Sequence, residues 1–362
     1  MVTIKPLNLK EFVRDIFAAA GCSPAEAQRI GQFLVESNLT GHDSHGVIRV
    51  PRYVKTLADK VIHADVVVDV LIDTPVLAVV DGKFGFGQTV GPQAVRIGID
   101  KCRRNGLSAV ALRNAGHTGR TGDWAEMAAA EGLVSVHFVN AAGSVLVAPH
   151  GGVDRRFSTA PYCVGIPRAG RDPLVLDFAT SIVAEGKVLV ASQGGKAVPD
   201  DALIDQDGRA SGDPHVLYGE YAPEGPRDHR KSKGAIRAFG EHKGSGLAFM
   251  GELLGGALSG NGATAFDRPF ANGMFSFYVD PKVVDPSGFF GPEVDRYTAF
   301  VKDSKPVTEG EEVLVPGEQE IRYRARRTAE GIPLPDDTWA SLVATARSVG
   351  LDERRIQRAT MP

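Results

Sequence analysis

The chain has 362 residues, 43% hydrophobic and 23% charged, with a formal net charge of −3. That is globular composition, with length for more than one core, since single cores stop growing near roughly 250–300 residues. The mildly acidic balance argues against a nucleic-acid protein, and no uncharged apolar run approaches the roughly 20 residues that span a bilayer.

Elements follow in chain order. Leu9, Phe12, Val13, Ile16 and Phe17 fall on a helical stripe that Gly21 stops. Ser23-Pro24-Ala25-Glu26 matches a capping box with proline at the first helical position. The second helix carries Ala27, Ile30, Phe33 and Leu34 on one face and ends before Gly41. From about residue 64 the texture changes: Val66–Val68 and Val76–Val80 read as strands, and Asp81-Gly82 reads as a turn. A helix is expected over Thr89–Arg104, then strands at Leu107–Leu112, Val134–Val139, Leu174–Phe178 and Met274–Val279. Residues 192–242 read mostly as loop, Leu247–Leu258 as a long apolar helix and Pro335–Gly350 as an amphipathic one. The three cysteines, Cys22, Cys102 and Cys163, show neither CxxC nor zinc spacing, so ordinary buried thiols are expected. No apolar signal core follows Met1, and the expectation is a soluble cytoplasmic protein.

Four stretches could carry chemistry. Gly41-His42-Asp43-Ser44-His45-Gly46-Val47-Ile48-Arg49-Val50-Pro51-Arg52-Tyr53 is the densest. Pro51 is comfortable only near a first turn, which puts a helix start at Val47–Ile48 with Asp43 or Ser44 as cap. Arg49 and Tyr53 would share a face, and His45 would sit at the positive helix end, suiting a base near neutrality. An arginine fork beside it fits a carboxylate. The pattern also permits a capped helix whose histidine is merely hydrogen-bonded. His42 and His45 make a poor metal pair because no third ligand is placed, so no metal is expected.

Gly85-Phe86-Gly87-Gln88-Thr89-Val90-Gly91 nearly matches the Rossmann G-x-G-x-x-G. It has one residue too many before the third glycine, and the next strand ends in Arg113-Asn114 without the acidic residue. A tight turn with close backbone packing is the better reading. Asn114-Ala115-Gly116-His117-Thr118-Gly119-Arg120 places a second histidine in a glycine loop after a strand. The last group is scattered: Leu176–Ser181, Glu241–Leu247 and Val315–Glu318, where backbone N–H groups and Lys243 at a helix start could hold phosphate. Asp205-Gln206-Asp207-Gly208 lacks EF-hand spacing, and neither G-x-S-x-G nor Walker A occurs.

Taken in order, these segments resemble the malate/L-lactate dehydrogenase family, which is unrelated to the Rossmann-type lactate and malate dehydrogenases. The matching pieces are Ser44-His45-Gly46 with Arg49 and Tyr53, Asp81-Gly82 with Gly85, Gly87 and Gln88, and His117 with Gly119. They continue through Asp177 with Thr180-Ser181, Lys243-Gly244 with Gly246-Leu247, and Pro316-Gly317-Glu318 before Gly331-Ile332-Pro333-Leu334. Gly116–Arg120 and Arg156–Pro161 look most like the hydroxycarboxylate dehydrogenase branch. The resemblance implies an α/β fold whose non-Rossmann nicotinamide-binding domain has a mixed, largely antiparallel sheet over residues 69–326. An N-terminal helical domain over residues 1–68, packed with the C-terminal segment 327–362, would supply the catalytic histidine. It further implies a homodimer, NAD or NADP, and a small 2-oxo or 2-hydroxy acid. His45 and His117 would be catalytic, with His45 working near its ordinary pKa of about 6.5. Ser44, Arg49 and Tyr53 would bind substrate, and Leu176, Asp177, Phe178, Thr180, Ser181, Lys243, Gly244, Gly317 and Glu318 would bind cofactor. Many relatives carry Asn-Pro where this chain has Ala160-Pro161, which bears on substrate choice. The competing readings are a cyclic imino acid reductase on the same fold, a Rossmann-type dehydrogenase or methyltransferase built on Gly85–Gly91, and a non-enzymatic 2-oxo-acid-binding protein.

Overall fold

The structure, a computed structural model, describes residues 1–222 and 227–360, so residues 223–226 of the expected loop and the last two of the C-terminal segment lie outside it. The N-terminal stripe forms a helix over Pro6–Ala19, which buries Leu9, Phe12, Val13, Ile16 and Phe17. A second helix follows over Pro24–Leu39. The Ser23 hydroxyl accepts from the Glu26 amide at 3.3 Å, which is half of the expected capping box. Glu26 does not return the favour. Its wholly buried carboxylate accepts instead from the Asp65 amide at 2.7 Å and the Thr89 hydroxyl at 2.6 Å, tying this helix to the sheet layer.

Among the described residues the main sheet has seven strands: β1 Asp69–Asp73, β2 Leu77–Gly85, β3 Leu107–Ala115, β4 Val134–Ala142, β5 Tyr162–Ile166, β6 Leu174–Phe178 and β7 Ala271–Val279. Their spatial order is β1-β2-β3-β7-β4-β5-β6. Only β2 and β3 run parallel, because the Gly87–Asn105 helix makes the crossover between them; every other pairing is antiparallel. The sheet is therefore mixed and largely antiparallel, as expected. A smaller sheet lies within and beside the expected 192–242 loop, pairing Leu203–Ile204, Ala210–Ser211, Ala235–Arg237 and Val147–Ala148.

Three expected elements differ. Val66–Val68 joins no ladder, because Gln93 takes its backbone, accepting from Val68 N–H at 3.2 Å and donating to Val66 C=O at 3.0 Å. Asp81-Gly82 does not reverse the chain; Lys83 and Phe84 adopt φ of 46° and 55°, and the strand bulges before Gly85 rejoins Ala115. The Leu247–Leu258 helix begins at His242 and changes to π geometry over Glu252–Leu258. There the buried Glu252 carboxylate takes hydrogen bonds from Ser158, Thr264 and Asn140.

Two apolar clusters meet at the Gly85–Gly91 region. One joins the first two helices to Val47, Val50, Tyr53 and Val54, and to Leu342, Ala346, Leu351 and Ile356 of the C-terminal segment. The other fills the sheet layer around Trp124, Ile99, Leu112 and Tyr278. Phe86 belongs to the first, edge-on to Phe17 at 5.7 Å, although it sits on the chain of the second. No helix among the described residues is long and apolar enough to cross a membrane.

Replacing the Glu26 tie tests whether the two layers are coupled through it. Glu26→Leu leaves the Asp65 amide and Thr89 hydroxyl without their acceptor, a loss of about 2–4 kcal/mol. Urea unfolding should show a lower midpoint, and an unchanged midpoint would remove Glu26 from the joint.

Candidate active site

The 42–53 stretch folds as two consecutive 3-10 turns, Asp43–His45 and Val47–Arg49, and only then as an α-helix over Val50–Ala58 with Pro51 in its first turn. Neither Asp43 nor Ser44 caps it, and His45 does not sit at the N-terminus of that helix. The reason is competition from outside the segment. Asn38 donates to the Asp43 carboxylate at 2.6 Å and accepts the Val47 amide at 2.9 Å. Arg327 reaches the same carboxylate with both terminal nitrogens, at 2.7 and 3.0 Å. Gly46 has no room for a side chain, since a Cβ there would lie 2.2 Å from the Asn38 amide oxygen.

This pinned turn brings His45 face to face with His117, ring centroids 5.5 Å apart and planes 12° from parallel. The His117 loop is seated by the glycine run: a Cβ on Gly87 would fall 2.2 Å from the His117 carbonyl oxygen, and one on Gly91 would fall 2.8 Å from Trp124. Protein thus occupies the space a Rossmann phosphate would need, and the near-fingerprint is a packing device.

Hydrogen bonds from Tyr53 and Gln88 hold the His117 loop. Burial pushes the Tyr53 phenol up to about 12, despite the Gln88 hydrogen bond and Arg49 pulling it down, so it stays protonated. Gln88 donates to the Tyr53 oxygen at 3.3 Å, and that oxygen lies 2.5 Å from His117 Nδ1 and 3.4 Å from the His117 carbonyl oxygen. With the phenol proton given to Nδ1, the shorter of the two contacts, neutral His117 carries its own proton on Nε2. His45 Nδ1 lies 3.0 Å from the Ser44 hydroxyl. Both histidines are held well below the ordinary imidazole pKa, first by burial and then by cationic neighbours, Arg49 foremost for each. The expectation that His45 works near 6.5 is corrected accordingly; the cause is desolvation, not a helix terminus.

A cavity of about 80 Å³ opens beside the pair, lined by His45, His117, Arg49, Arg52, Tyr53 and Glu185, with Phe270, Leu146, Val139 and Pro161 as its apolar part. Arg49 spends Nε on the Ser44 carbonyl at 2.6 Å and faces Glu185 at 3.4 Å. Arg52, at the rim, lies over the Phe270 ring at 5.1 Å. A second cavity, about 160 Å³, shares His45, Gly119, Thr159, Pro161 and Ala184 with the first, and adds Asp177, Phe178, Ser181 and Lys187. Through Ser44 and Lys187 it meets a trough of about 720 Å³ that reaches Lys196, Gln319, Tyr323 and Arg327. Ser44 lines this second cavity and the trough, and not the first.

The remaining expected residues are dispersed. Asp177 lines the second cavity while accepting the Gly122 amide at 2.7 Å. Thr180 is fully buried, its hydroxyl donating to the Thr159 and Ala160 carbonyls, and Leu176 is exposed on β6. Lys243 and Gly244 line none of these spaces. The amides of Lys243, Gly244 and Ser245 are already bonded to Gly240, Phe239 and Glu241, so the expected phosphate cradle there is closed. Gly317 opens on a separate hollow with Arg168 and Arg324, and Glu318 is bound by Lys302 at 2.6 Å. Asn38, Glu185 and Arg327 were not singled out from sequence, and Arg52 entered only as one of the two arginines of the 41–53 stretch. Of the three that were missed, only Glu185 left a signal, a lone acid in the small-residue run after Thr180-Ser181.

Gly87→Ala separates packing from ligand cradling. The added methyl must displace the His117 backbone, a cost of about 1–3 kcal/mol. Thermal unfolding should fall by several degrees; a variant of unchanged stability that has lost nucleotide binding would restore the Rossmann reading.

Comparison with known proteins agrees with this architecture. A family model for malate/L-lactate dehydrogenase matches residues 4–343. The chain is 36% identical to hydroxycarboxylate dehydrogenase B of Escherichia coli strain K12, over 97% of this chain and 95% of that one. It is 32% identical to L-lactate dehydrogenase of Cupriavidus necator, over 95% of this chain and 97% of that one. Among solved structures, sulfolactate dehydrogenase from Methanocaldococcus jannaschii superposes with a TM-score of 0.83 at 28% identity, covering 99% and 100% of the two chains. The Δ1-piperideine-2-carboxylate reductase of Pseudomonas syringae gives a TM-score of 0.77 at 29% identity, covering 96% and 100%. With nearly its whole length matched in sequence and in fold, the chain belongs to the malate/L-lactate dehydrogenase family.

Proposed function

We propose that this protein is an NAD- or NADP-dependent dehydrogenase that interconverts a 2-hydroxy acid and its 2-oxo acid, working as a homodimer. The observation that carries the reading is the position of His45, on the wall common to the two cavities. A substrate in the smaller one and a nicotinamide in the other would meet at that imidazole. The bound nicotinamide would supply or accept a hydride at the substrate's C2. Asp177, Phe178 and Ser181 would hold it, and Lys187 and Lys196 along the trough suit its phosphates.

In this reading His45 takes the hydroxyl proton during oxidation and returns it during reduction. Its depressed pKa keeps it neutral, and so able to accept, at neutral pH. His117, with Nε2 protonated, donates a hydrogen bond to the substrate oxygen and steadies the charge that develops there. Tyr53 and Gln88 hold that tautomer, and Ser44 orients His45. Arg49 and Arg52 grip the carboxylate and turn C2 toward the second cavity. Exposed Phe249, Met250, Leu253 and Leu258, all from one helical segment, are the apolar surface a second copy would cover. The reductase relative from Pseudomonas syringae supports a second reading in which a cyclic imino acid is the substrate.

The direct test follows NADH and NADPH oxidation across a panel of 2-oxo acids and cyclic imino acids. Turnover of 2-oxo acids is expected. Turnover of imines alone would move the substrate within the fold, and binding of a 2-oxo acid without turnover would favour a sensor. His45→Ala should lower kcat by roughly 10²–10⁴-fold with nucleotide binding retained, and unchanged turnover would remove His45 from proton transfer. Arg49→Lys should cost about ten- to hundredfold in kcat/KM, mainly through KM, because lysine cannot make a two-pronged contact. Equal kinetics would take Arg49 out of the grip.

A further inference from the structure

The cavity beside the histidines is not simply cationic. Among the described residues its walls carry three fixed charges, Arg49, Arg52 and Glu185, and the acid is a built part of it. Glu185 opens the Glu185–Ser192 helix. One carboxylate oxygen accepts from the Tyr218 hydroxyl at 2.8 Å, and the other faces Arg49 at 3.4 Å. Gly186 allows that approach, since a Cβ there would lie 2.6 Å from the Ser44 side chain and 2.7 Å from the Arg49 guanidinium. Burial alone would push the Glu185 carboxyl up, but Arg49, the Tyr218 hydrogen bond and Arg52 outweigh it and hold it below its usual value. It is therefore an anion at neutral pH.

We infer that Glu185 is a specificity residue that restricts this site to monocarboxylates with a short apolar substituent and rejects dicarboxylates. The inference rests on the hydroxy-acid reading above. Two arginines and one glutamate leave a single positive charge, which one substrate carboxylate neutralises. A second carboxylate on the same small acid would lie against Glu185, against Val139, Leu146, Pro161 and Phe270, or against the uncharged Thr118, Ser144, Thr159 and Asn272, none of which supplies a countercharge. The first position sets like charges together where little water screens them, and the second buries an ion among apolar groups. With Glu185 uncharged, both arginines would be free for a dianion.

The test compares kcat/KM for 2-oxobutyrate, oxaloacetate and 2-oxosuccinamate, the last matching oxaloacetate in shape without its second charge. The unaltered enzyme should prefer 2-oxobutyrate to oxaloacetate by about a hundredfold. It should also prefer 2-oxosuccinamate to oxaloacetate by tenfold or more, which isolates charge from size and needs no variant. Glu185→Gln keeps an acceptor for Tyr218 and should narrow the 2-oxobutyrate to oxaloacetate ratio at least tenfold, through KM for the dianion. A merely structural glutamate would depress all three acids together and leave the ratios alone. Oxaloacetate used as well as 2-oxobutyrate by the unaltered enzyme, or a ratio unmoved in Glu185→Gln, would overturn the inference and leave the hydroxy-acid reading standing. Failure of every acid would overturn that reading itself.

Discussion

Two imidazoles stacked 5.5 Å apart cannot both be charged when the surrounding protein removes water and the charges acting most on each are arginines. The rest of the site follows from that constraint. Kept neutral, each ring has one nitrogen with a proton and one without, so the two can hold opposite roles toward a substrate oxygen. Which nitrogen is which depends on the hydrogen bonds behind the rings, and those come from distant parts of the chain. Tyr53 and Gln88 set His117, and Ser44 lies behind His45.

Holding the rings there requires the backbone to be pinned from below. The 3-10 geometry at Asp43–His45 would not persist in isolation, because its hydrogen bonds are few and poorly aligned. Asn38 and Arg327 supply the missing partners, one from the helix just before the turn and the other from nearly 300 residues later. The His117 loop is fixed the opposite way, by the absence of side chains at Gly87 and Gly91. One wall is therefore held by polar contacts and the other by shape. The Glu26 carboxylate links the layers that carry them.

Much of this was legible in the sequence because it is local. The helical stripe over Leu9–Phe17 and the β6 strand at Leu174–Phe178 fall where the pattern put them. The Ser44, His45, Arg49 and Tyr53 cluster was visible as chemistry before any geometry. The near-fingerprint at Gly85–Gly91 was readable as packing from its spacing and from the missing acidic residue after the next strand. What could not be read depends on partners far apart in the chain: the failed cap at Asp43, the carboxylate network of Glu252, and the pairing of Glu185 with Arg49. The Lys243–Ser245 amides looked open in sequence and are closed because a tight turn at Phe239–Glu241 reaches them first. The change from Asn-Pro to Ala160-Pro161 has a backbone reading as well. Ala160 has φ of 32° and is buried outside both cavities, so asparagine there suits a conformation that alanine adopts only under strain.

The most direct measurement is a pH titration of the ring nitrogens of His45 and His117 by ¹⁵N NMR, with single His→Asn variants to assign the signals. A histidine of ordinary pKa is half protonated near pH 6.5. Depressed values mean that both rings should still show the shifts of neutral imidazole at pH 6, with His117 as its Nε2–H tautomer. Protonation of either ring with a midpoint near 6.5, or His117 carrying its proton on Nδ1, would contradict the account.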